Sequence, residues 1–494
     1  MIWAVHALQG KRTKNGERLL NHPREAATDD MLSKFAVYKW DLETLITLDL
    51  NTRKNIGFGR RQPLDTREFN SAAEIVNLLR AVEGHEDRGR VDHTNVMLEM
   101  HRISHRQFGW QRGFVRVQDV YRYLYIYGQG ECANYFEKSY GVSVLDFFTV
   151  AFAHLAYLSN RPWMPPISGL DMLNVSADAV ARSLQILSGE IGQVRVESQK
   201  LLARFEKSMG TKLPLIYQPS YLRIKPIIRR LAMSQDSFIA PLPELIVFRA
   251  TVGIYYDLQS GGTQVTNDAT KRFEEYARRS ISAYCPGFDP APAVEYVHRR
   301  NAVETPDILL KQGGRVVAVF ECKATKLTFE AQYGEDPVEN AKNGYSQIAK
   351  AIFQLWRFFS HVRRGIVDVD VALDAPAIVL TMDAWTQMSR ELRDTLVADA
   401  EAMVAAKEPE ISEDDKRRPV FCPIQELEHI LLVSNEEQLL AAFQAATDPR
   451  YLGWSIREVR NDAIPALEKE KDFAFDPSEL LPWWKDIRPK ATMR

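Results

Sequence analysis

Hydrophobic residues in the first half of the chain recur at helical spacing and predict a run of helices. Ser71-Ala72-Ala73-Glu74 reads as a capping box, with Ser71 accepting from the Glu74 N–H and Glu74 reaching back. Ile75, Leu78, Leu79 and Val82 then mark one apolar face, and Gly84 is expected to stop the run. Further helices are expected from Val117 to Tyr127, from Ser143 to Leu158 and from Ser176 to Leu187. The last of these sets Val180, Leu184 and Leu187 on one face. Pro162, Pro165 and Pro166 separate it from the helix before.

The pattern changes near residue 265. Gln259-Ser260-Gly261-Gly262-Thr263 reads as a flexible turn or linker. After it come a helix from Asn267 to Tyr284, a Pro/Gly-rich loop from Pro286 to Pro292, and three strands. The third strand, Arg315 to Lys323, is dense in β-branched and apolar residues, and Lys311-Gln312-Gly313-Gly314 before it is a hairpin turn signal. A long helix from about Asn340 to Ser360 carries Ile348, Ile352, Leu355, Trp356 and Phe359 on its apolar face. Then follow a strand (Pro376 to Met382), a helix to about Ala406, a charged surface loop (Glu408 to Arg418), a strand (Pro419 to Ile424) and a helix (Asn435 to Ala446). The order predicts an α/β (α+β) chain, with a mainly helical region over 1–262 and a mixed-sheet region over 263–494.

Composition narrows the class. With 494 residues and 45% hydrophobic positions, the chain can build cores for two or three domains and is not a disordered polymer. Lys and Arg total 63 against 65 Asp and Glu, a net charge of −2, which excludes a globally basic nucleic-acid binder but not a local basic groove. Cys132, Cys285, Cys322 and Cys422 are far apart and form no CxxC pair, as expected in a reducing compartment. Met1 to Leu8 is too short for a signal core, and Lys11 and Arg12 follow rather than precede it. The apolar run Val142 to Leu158 is interrupted by Asp146 and His154 and falls short of the roughly 20 residues of a bilayer span. A cytoplasmic protein without membrane segments is expected. The sequence contains no Walker A motif, dinucleotide-binding glycine fingerprint or Gly-x-Ser-x-Gly elbow.

The chemistry concentrates in the second region. Pro306-Asp307 precedes the hairpin, and Glu321-Cys322-Lys323 ends its second strand. Side chains alternate along a strand, so Glu321 and Lys323 share a face, and the hairpin returns Asp307 alongside them. Two carboxylates beside one ammonium suit Mg²⁺ (or Mn²⁺), which takes oxygen ligands and keeps several waters. Lys323 would position the attacking water or stabilise charge on a phosphate. Asp414-Asp415-Lys416 has the same carboxylate-x-Lys spacing but lies in a charge run with no apolar strand before it.

Pro306, Asp307, Glu321 and Lys323 together resemble the PD-(D/E)xK, or restriction-endonuclease-like, nuclease superfamily. The resemblance covers about residues 266–382. It implies a mixed sheet flanked by helices, metal-dependent phosphodiester hydrolysis, and Asp307, Glu321 and the Cys322 backbone carbonyl as metal ligands. It also implies a Glu on the preceding helix, where Glu274 is favoured over Glu275. A polar residue is implied on the following helix, where Gln347 and Lys350 near its start are preferred over Gln354, although Gln354 to Phe358 is the nearest match to a Gln-x-x-x-Tyr pattern. DNA is the expected substrate ahead of RNA, with a role in defence against foreign DNA. The helical half would then sense a target, bind a regulatory protein or assemble a homodimer. Two other readings are a catalytically silent binding scaffold on the same fold and an effector that cuts only when triggered.

Basic residues mark candidate nucleic-acid contacts. Arg278, Arg279, Arg299, Arg300, Arg363 and Arg364 flank the motif. Between Met100 and Gln118 there is no acidic residue, and Arg102, Arg106, Arg112 and Arg116 alternate with Phe108 and Trp110. That segment reads either as a nucleic-acid contact or as a buried arginine and aromatic packing segment. His101 and His105, one helical turn apart, are expected to be surface or capping residues, with a zinc pair as the alternative.

Overall fold

The structure, a computed structural model, describes every residue except 1, 11–17, 27, 29, 53–64, 89–90, 94, 168, 231–236, 387–388, 465–468 and 488–494. Lys11 and Arg12 therefore lie outside the described residues. The fold is mixed α and β with a helical N-terminal region. Two compact units divide the chain: one takes residues 1–93, 106–261 and 480–494, the other 94–105 and 262–479. Division near residue 262 is visible in the sequence, but the two excursions, 94–105 and 480–494, are not. Among the described residues no single helix is long and apolar enough to cross a membrane.

In the first unit, the helices Val117–Tyr127, Val144–Leu158 and Ala177–Leu187 occupy the expected stretches. Ser143 and Ser176 cap the last two, accepting from the N–H groups of Asp146 and Ala179. Val180, Leu184 and Leu187 are buried. The helix Phe69–Arg88 departs from expectation. It starts ahead of Ser71, so Ser71 is an interior residue and not a cap, and Gly84 does not end it. A lone glycine costs about 1 kcal/mol inside a helix, too little to break one without a proline or cap beside it. Its buried residues are Ala72, Val76 and Leu79, whereas Leu78 is 65% exposed. The unit also holds a four-stranded sheet of Trp163–Met164, Ser188–Glu190, Ile227–Arg230 and Ser237–Ile239, strands too short to show alternation in sequence.

The second unit opens with helix α1 (Gly262–Tyr284). The expected linker is a single 3-10 turn, Gln259–Gly261, running straight into it. Gly262 stands at φ +76, a conformation that favours glycine and lets the chain turn into the helix without a break. Beyond it, the expected loop ends in a strand, β1 (Asp289–Pro292), whose two prolines are tolerated because β1 lies at a sheet edge. A separate hairpin pairs β2 (Glu295–His298) with β3 (Asn301–Glu304). Next come β4 (Ile308–Gln312) and β5 (Arg315–Lys323), antiparallel, joined by Gly313 and Gly314 at φ 59 and 86. Only glycine adopts both angles without strain, and they give the tight turn whose twist matches the strands. Strand β6 (Ala377–Thr381) runs parallel to β5, and β7 (Pro419–Pro423) parallel to β6, giving the sheet order β7-β6-β5-β4-β1.

Helix α2 (Lys342–Arg363) packs on one face of this sheet, burying Ile348, Ile352, Leu355, Trp356 and Phe359 as their spacing predicts. Each such side chain contributes about 1.5–3 kcal/mol on burial. Leu309, Val319, Ala377, Val379 and Phe421 supply the sheet side of that core, and α3 (Arg390–Lys407) adds Leu392, Leu396, Ala400 and Val404. On the opposite face Phe320 meets Phe443 of α5 (Glu436–Ala445), with ring centroids 5.6 Å apart. Tyr276 of α1 donates to Glu428 of α4 (Ile424–Leu432) at 2.7 Å. The stretch from Glu408 to Arg418 is not a plain solvated loop. Glu408 and Asp415 are buried, and Asp415 accepts from Arg363 at 2.8 and 2.9 Å.

Candidate active site at the end of the central hairpin

The β4–β5 register places Ile308 opposite Phe320 and Leu309 opposite Val319. Continued by one residue, it sets Asp307 across from Glu321, on the sheet face that α2 covers. Asp307 does more than face its neighbour: its Oδ2 accepts the Cys322 N–H at 2.6 Å. Continued by two residues, the register brings Pro306 opposite Cys322. Val319 N–H donates to Pro376 and Met382 N–H to the Lys323 carbonyl, so the odd positions of β5 bond β6 and the even positions point toward β4. Proline has no N–H, so its position supplies no ladder hydrogen bond to the Cys322 carbonyl.

Glu321 is buried, and Lys323 Nζ donates to its Oε1 at 2.7 Å. Lys323 also reaches Gln354 Oε1 of α2 at 3.4 Å, and its side chain keeps 15% exposure, so solvent touches the group. Burial works against the ammonium, but the pairing with Glu321 outweighs it and holds the Lys323 pKa above its ordinary value. Asp307 moves the other way. Burial, then repulsion from Glu321 and Glu274, push its carboxyl up to about 8, against the opposing pull of Lys323 and the Cys322 N–H. Burial and the Glu321 charge likewise raise Glu274 to about 6. Glu275, one position on, is exposed. The cluster thus holds three carboxylates against one ammonium. Among the described residues, Asp307, Glu321 and Glu274 do not close into a trio with all ligand atoms within 4.8 Å of one another.

Burial also drives the Cys322 thiol well above its ordinary range, so its side chain is a core group, and any ligand from this residue is its carbonyl. The helix residue that touches the cluster is Gln354, not Gln347 or Lys350, which are exposed and make no hydrogen bond to these groups. All three lie on one stripe of α2, but the strand end meets the helix about three turns beyond its start. Position along the stripe therefore decides which residue makes contact, and a spacing rule alone does not fix it.

The arginines divide sharply. Arg102 and Arg106 are structural. Arg102 is 2% exposed and pairs with Glu99, while Arg106 is 5% exposed and binds Asp41 at 3.0 Å and Glu83 at 2.9 Å. Trp110, also buried, donates to Glu43 at 2.7 Å. The acid-free segment is packed against acids from elsewhere in the chain, so neither arginine offers a nucleic-acid contact. His101 is fully buried and 3.1 Å from the Ala331 carbonyl, with its ring edge-on to His105 at 4.4 Å, so neither is a surface or capping residue. Arg279 lies 3.6 Å from Glu479 and over the Phe475 ring. Arg299 pairs with Glu410, and Arg300 is exposed at the same hairpin tip. Arg278, one turn after Glu274 on α1, acts electrostatically on that carboxylate, and its Nε is buried without a hydrogen-bond partner among the described residues. Compared with known proteins, the chain matches no family model, no curated protein and no solved structure.

Proposed function

We propose that the chain is a divalent-metal-dependent nuclease that hydrolyses phosphodiester bonds at Asp307, Glu321 and Lys323. One observation carries the reading: three partly or fully buried carboxylates gather around one ammonium, and burial with their mutual repulsion pushes Asp307 up to about 8. Negative charge gathered beyond what Lys323 balances calls for a cation. The donor set is all oxygen, two carboxylates and the Cys322 carbonyl opposite Pro306, which suits Mg²⁺ or Mn²⁺. When bound, such an ion neutralises phosphate charge and lowers the pKa of a coordinated water.

The chain's own groups supply the rest. Glu321 and Gln354 hold the Lys323 ammonium in place, and its raised pKa keeps it charged toward a phosphoryl oxygen. Glu274, at about 6, exchanges a proton close to neutral pH, as a general base or acid needs. Arg278 is the basic residue best placed to meet a phosphate beside it. The resemblance to PD-(D/E)xK nucleases supports DNA ahead of RNA as substrate and a role against foreign DNA. Four buried cysteines, none of them in a disulfide, support a reducing, cytoplasmic setting. The test is incubation of the full chain with Mg²⁺ and with linear, circular and single-stranded DNA and RNA. Wild type is expected to cut at least one substrate, and Asp307→Ala and Lys323→Ala to lose the activity. Equal cutting by the variants refutes the assignment.

A further inference from the structure

A second group of ligating side chains lies apart from the nuclease centre. His298 ends β2, His361 lies in the last turn of α2, and Glu408 caps the end of α3. Their ligand atoms all fall within 4.8 Å of one another. His361 Nε2 is 2.5 Å from Glu408 Oε1, and His298 Nε2 is 3.5 Å from the same oxygen. His298 Nε2 is buried and makes no hydrogen bond among the described residues. We propose that His298, His361 and Glu408 form a binding site for a late first-row divalent cation, with Zn²⁺ as the reference ion.

Two imidazoles and a carboxylate form a common zinc set, and imidazole nitrogen selects zinc-like ions over Mg²⁺. Ligands about 2.0–2.2 Å from a tetrahedral ion stand roughly 3.3–3.6 Å apart. The His298 to Glu408 separation already fits, and the His361 to Glu408 contact opens by about 1 Å when the imidazole proton moves from Nε2 to Nδ1 and the ion takes the place it leaves. Tyr296 Oη lies 2.7 Å from His361 Nδ1, so it can accept the Nδ1–H and leave the Nε2 lone pair for the metal. The His298 side chain is 16% exposed, so water can complete the coordination.

The backbone supports the placement. Arg299 and Arg300, directly after His298, both adopt left-handed angles, φ 49 and 66. Non-glycine residues held this way cost about 1–3 kcal/mol each and persist where their surroundings fix them. Arg299 pairs with Glu410, two residues after Glu408, so the same two segments are tied twice. Two guanidinium groups oppose the ion: Arg364, 3.8 Å from Glu408 Oε1, and Arg357, whose charge acts on His361.

The test is titration of chelator-stripped full-length protein with Co²⁺, read by its visible absorption, and with Zn²⁺ by calorimetry, both in millimolar Mg²⁺ to occupy oxygen sites. One equivalent is expected. His298→Gln and Glu408→Gln should weaken it by about 100-fold or more, Tyr296→Phe by about 10-fold, and Arg364→Gln should tighten it. Because His361 is fully buried, the partly exposed His298 gives the decisive variant. Asp307→Asn should leave the site intact, which separates it from the nuclease centre. Absence of Co²⁺ and Zn²⁺ binding, binding unchanged in His298→Gln, or loss of binding in Asp307→Asn overturns the proposal.

Discussion

Two charged segments of this chain look alike in sequence and differ in structure. The two buried arginines of the acid-free stretch are matched: Arg102 to Glu99, and Arg106 to Asp41 and Glu83. The end of the β4–β5 hairpin brings Asp307, Glu321 and Glu274 together against the single ammonium of Lys323. Buried charges that balance hold a fold together, because removing either partner strands the other in a poor solvent. Buried charges that do not balance are costly, and a fold keeps them where a ligand completes them. The difference lies in the local charge sum after folding, which the density of arginines or acids along the chain does not reveal.

Perturbing each side should break the comparison if it is wrong. Largest is the effect of Asp307→Ala or Lys323→Ala on cleavage, a loss of about 100-fold or more with the thermal transition retained, measured by initial rates on labelled DNA. Next, Arg106→Met should destabilise the first unit by roughly 3–5 kcal/mol by leaving Asp41 buried and short of a partner, seen in denaturant unfolding. Nucleic-acid affinity of the folded fraction should not change.

A pH series on metal-free protein gives a third test. The Asp307 carboxyl keeps its proton in the fold up to about 8, against an ordinary 3.8. The native state therefore binds more protons than the unfolded chain between these values, and stability falls as pH rises through that window. Asp307→Asn removes this contribution, so its melting temperature should gain on wild type from pH 5 to pH 8. A constant gap between the two melting curves contradicts the burial and repulsion described above.

Smaller effects separate residues of similar appearance. Gln354→Ala should lower kcat by about 3–10-fold through loss of a single contact to Lys323, whereas Gln347→Ala, on the same stripe but exposed, should leave it unchanged. Smallest is Arg300→Gly, which should stabilise by about 0.4–1 kcal/mol because φ 66 suits glycine, measured by thermal melting.

Much of the second unit is legible in the sequence because its signals are local. The β-branched run of β5, the paired glycines at 313–314 and the apolar stripe of α2 each specify their element. Asp307 is legible too, since a tight hairpin leaves its position little freedom. Glu274 is placed with the cluster only by tertiary packing of α1, and the choice between it and Glu275 depends on which side of the helix meets the sheet. What stayed hidden depended on partners far away in sequence. Arg106 takes Asp41 and Glu83, far upstream, so its pairing is invisible to a reading of composition, whereas Arg102 takes Glu99, three residues before it. The His298, His361 and Glu408 trio joins a hairpin, a helix end and a connecting segment, with no spacing to announce it. Gly84 failed as a stop signal because a single weak breaker does not outweigh the packing of Val76 and Leu79.

The most direct measurement is Mn²⁺ binding, followed by electron paramagnetic resonance, to the full chain carrying His298→Gln and bound to a phosphorothioate DNA duplex that resists cutting. At least one Mn²⁺ should bind at the hairpin end, and Asp307→Asn added to the same chain should abolish it. Absence of Mn²⁺ binding with DNA present, or binding that survives Asp307→Asn, would contradict the assignment of Asp307 and Glu321 as the metal centre.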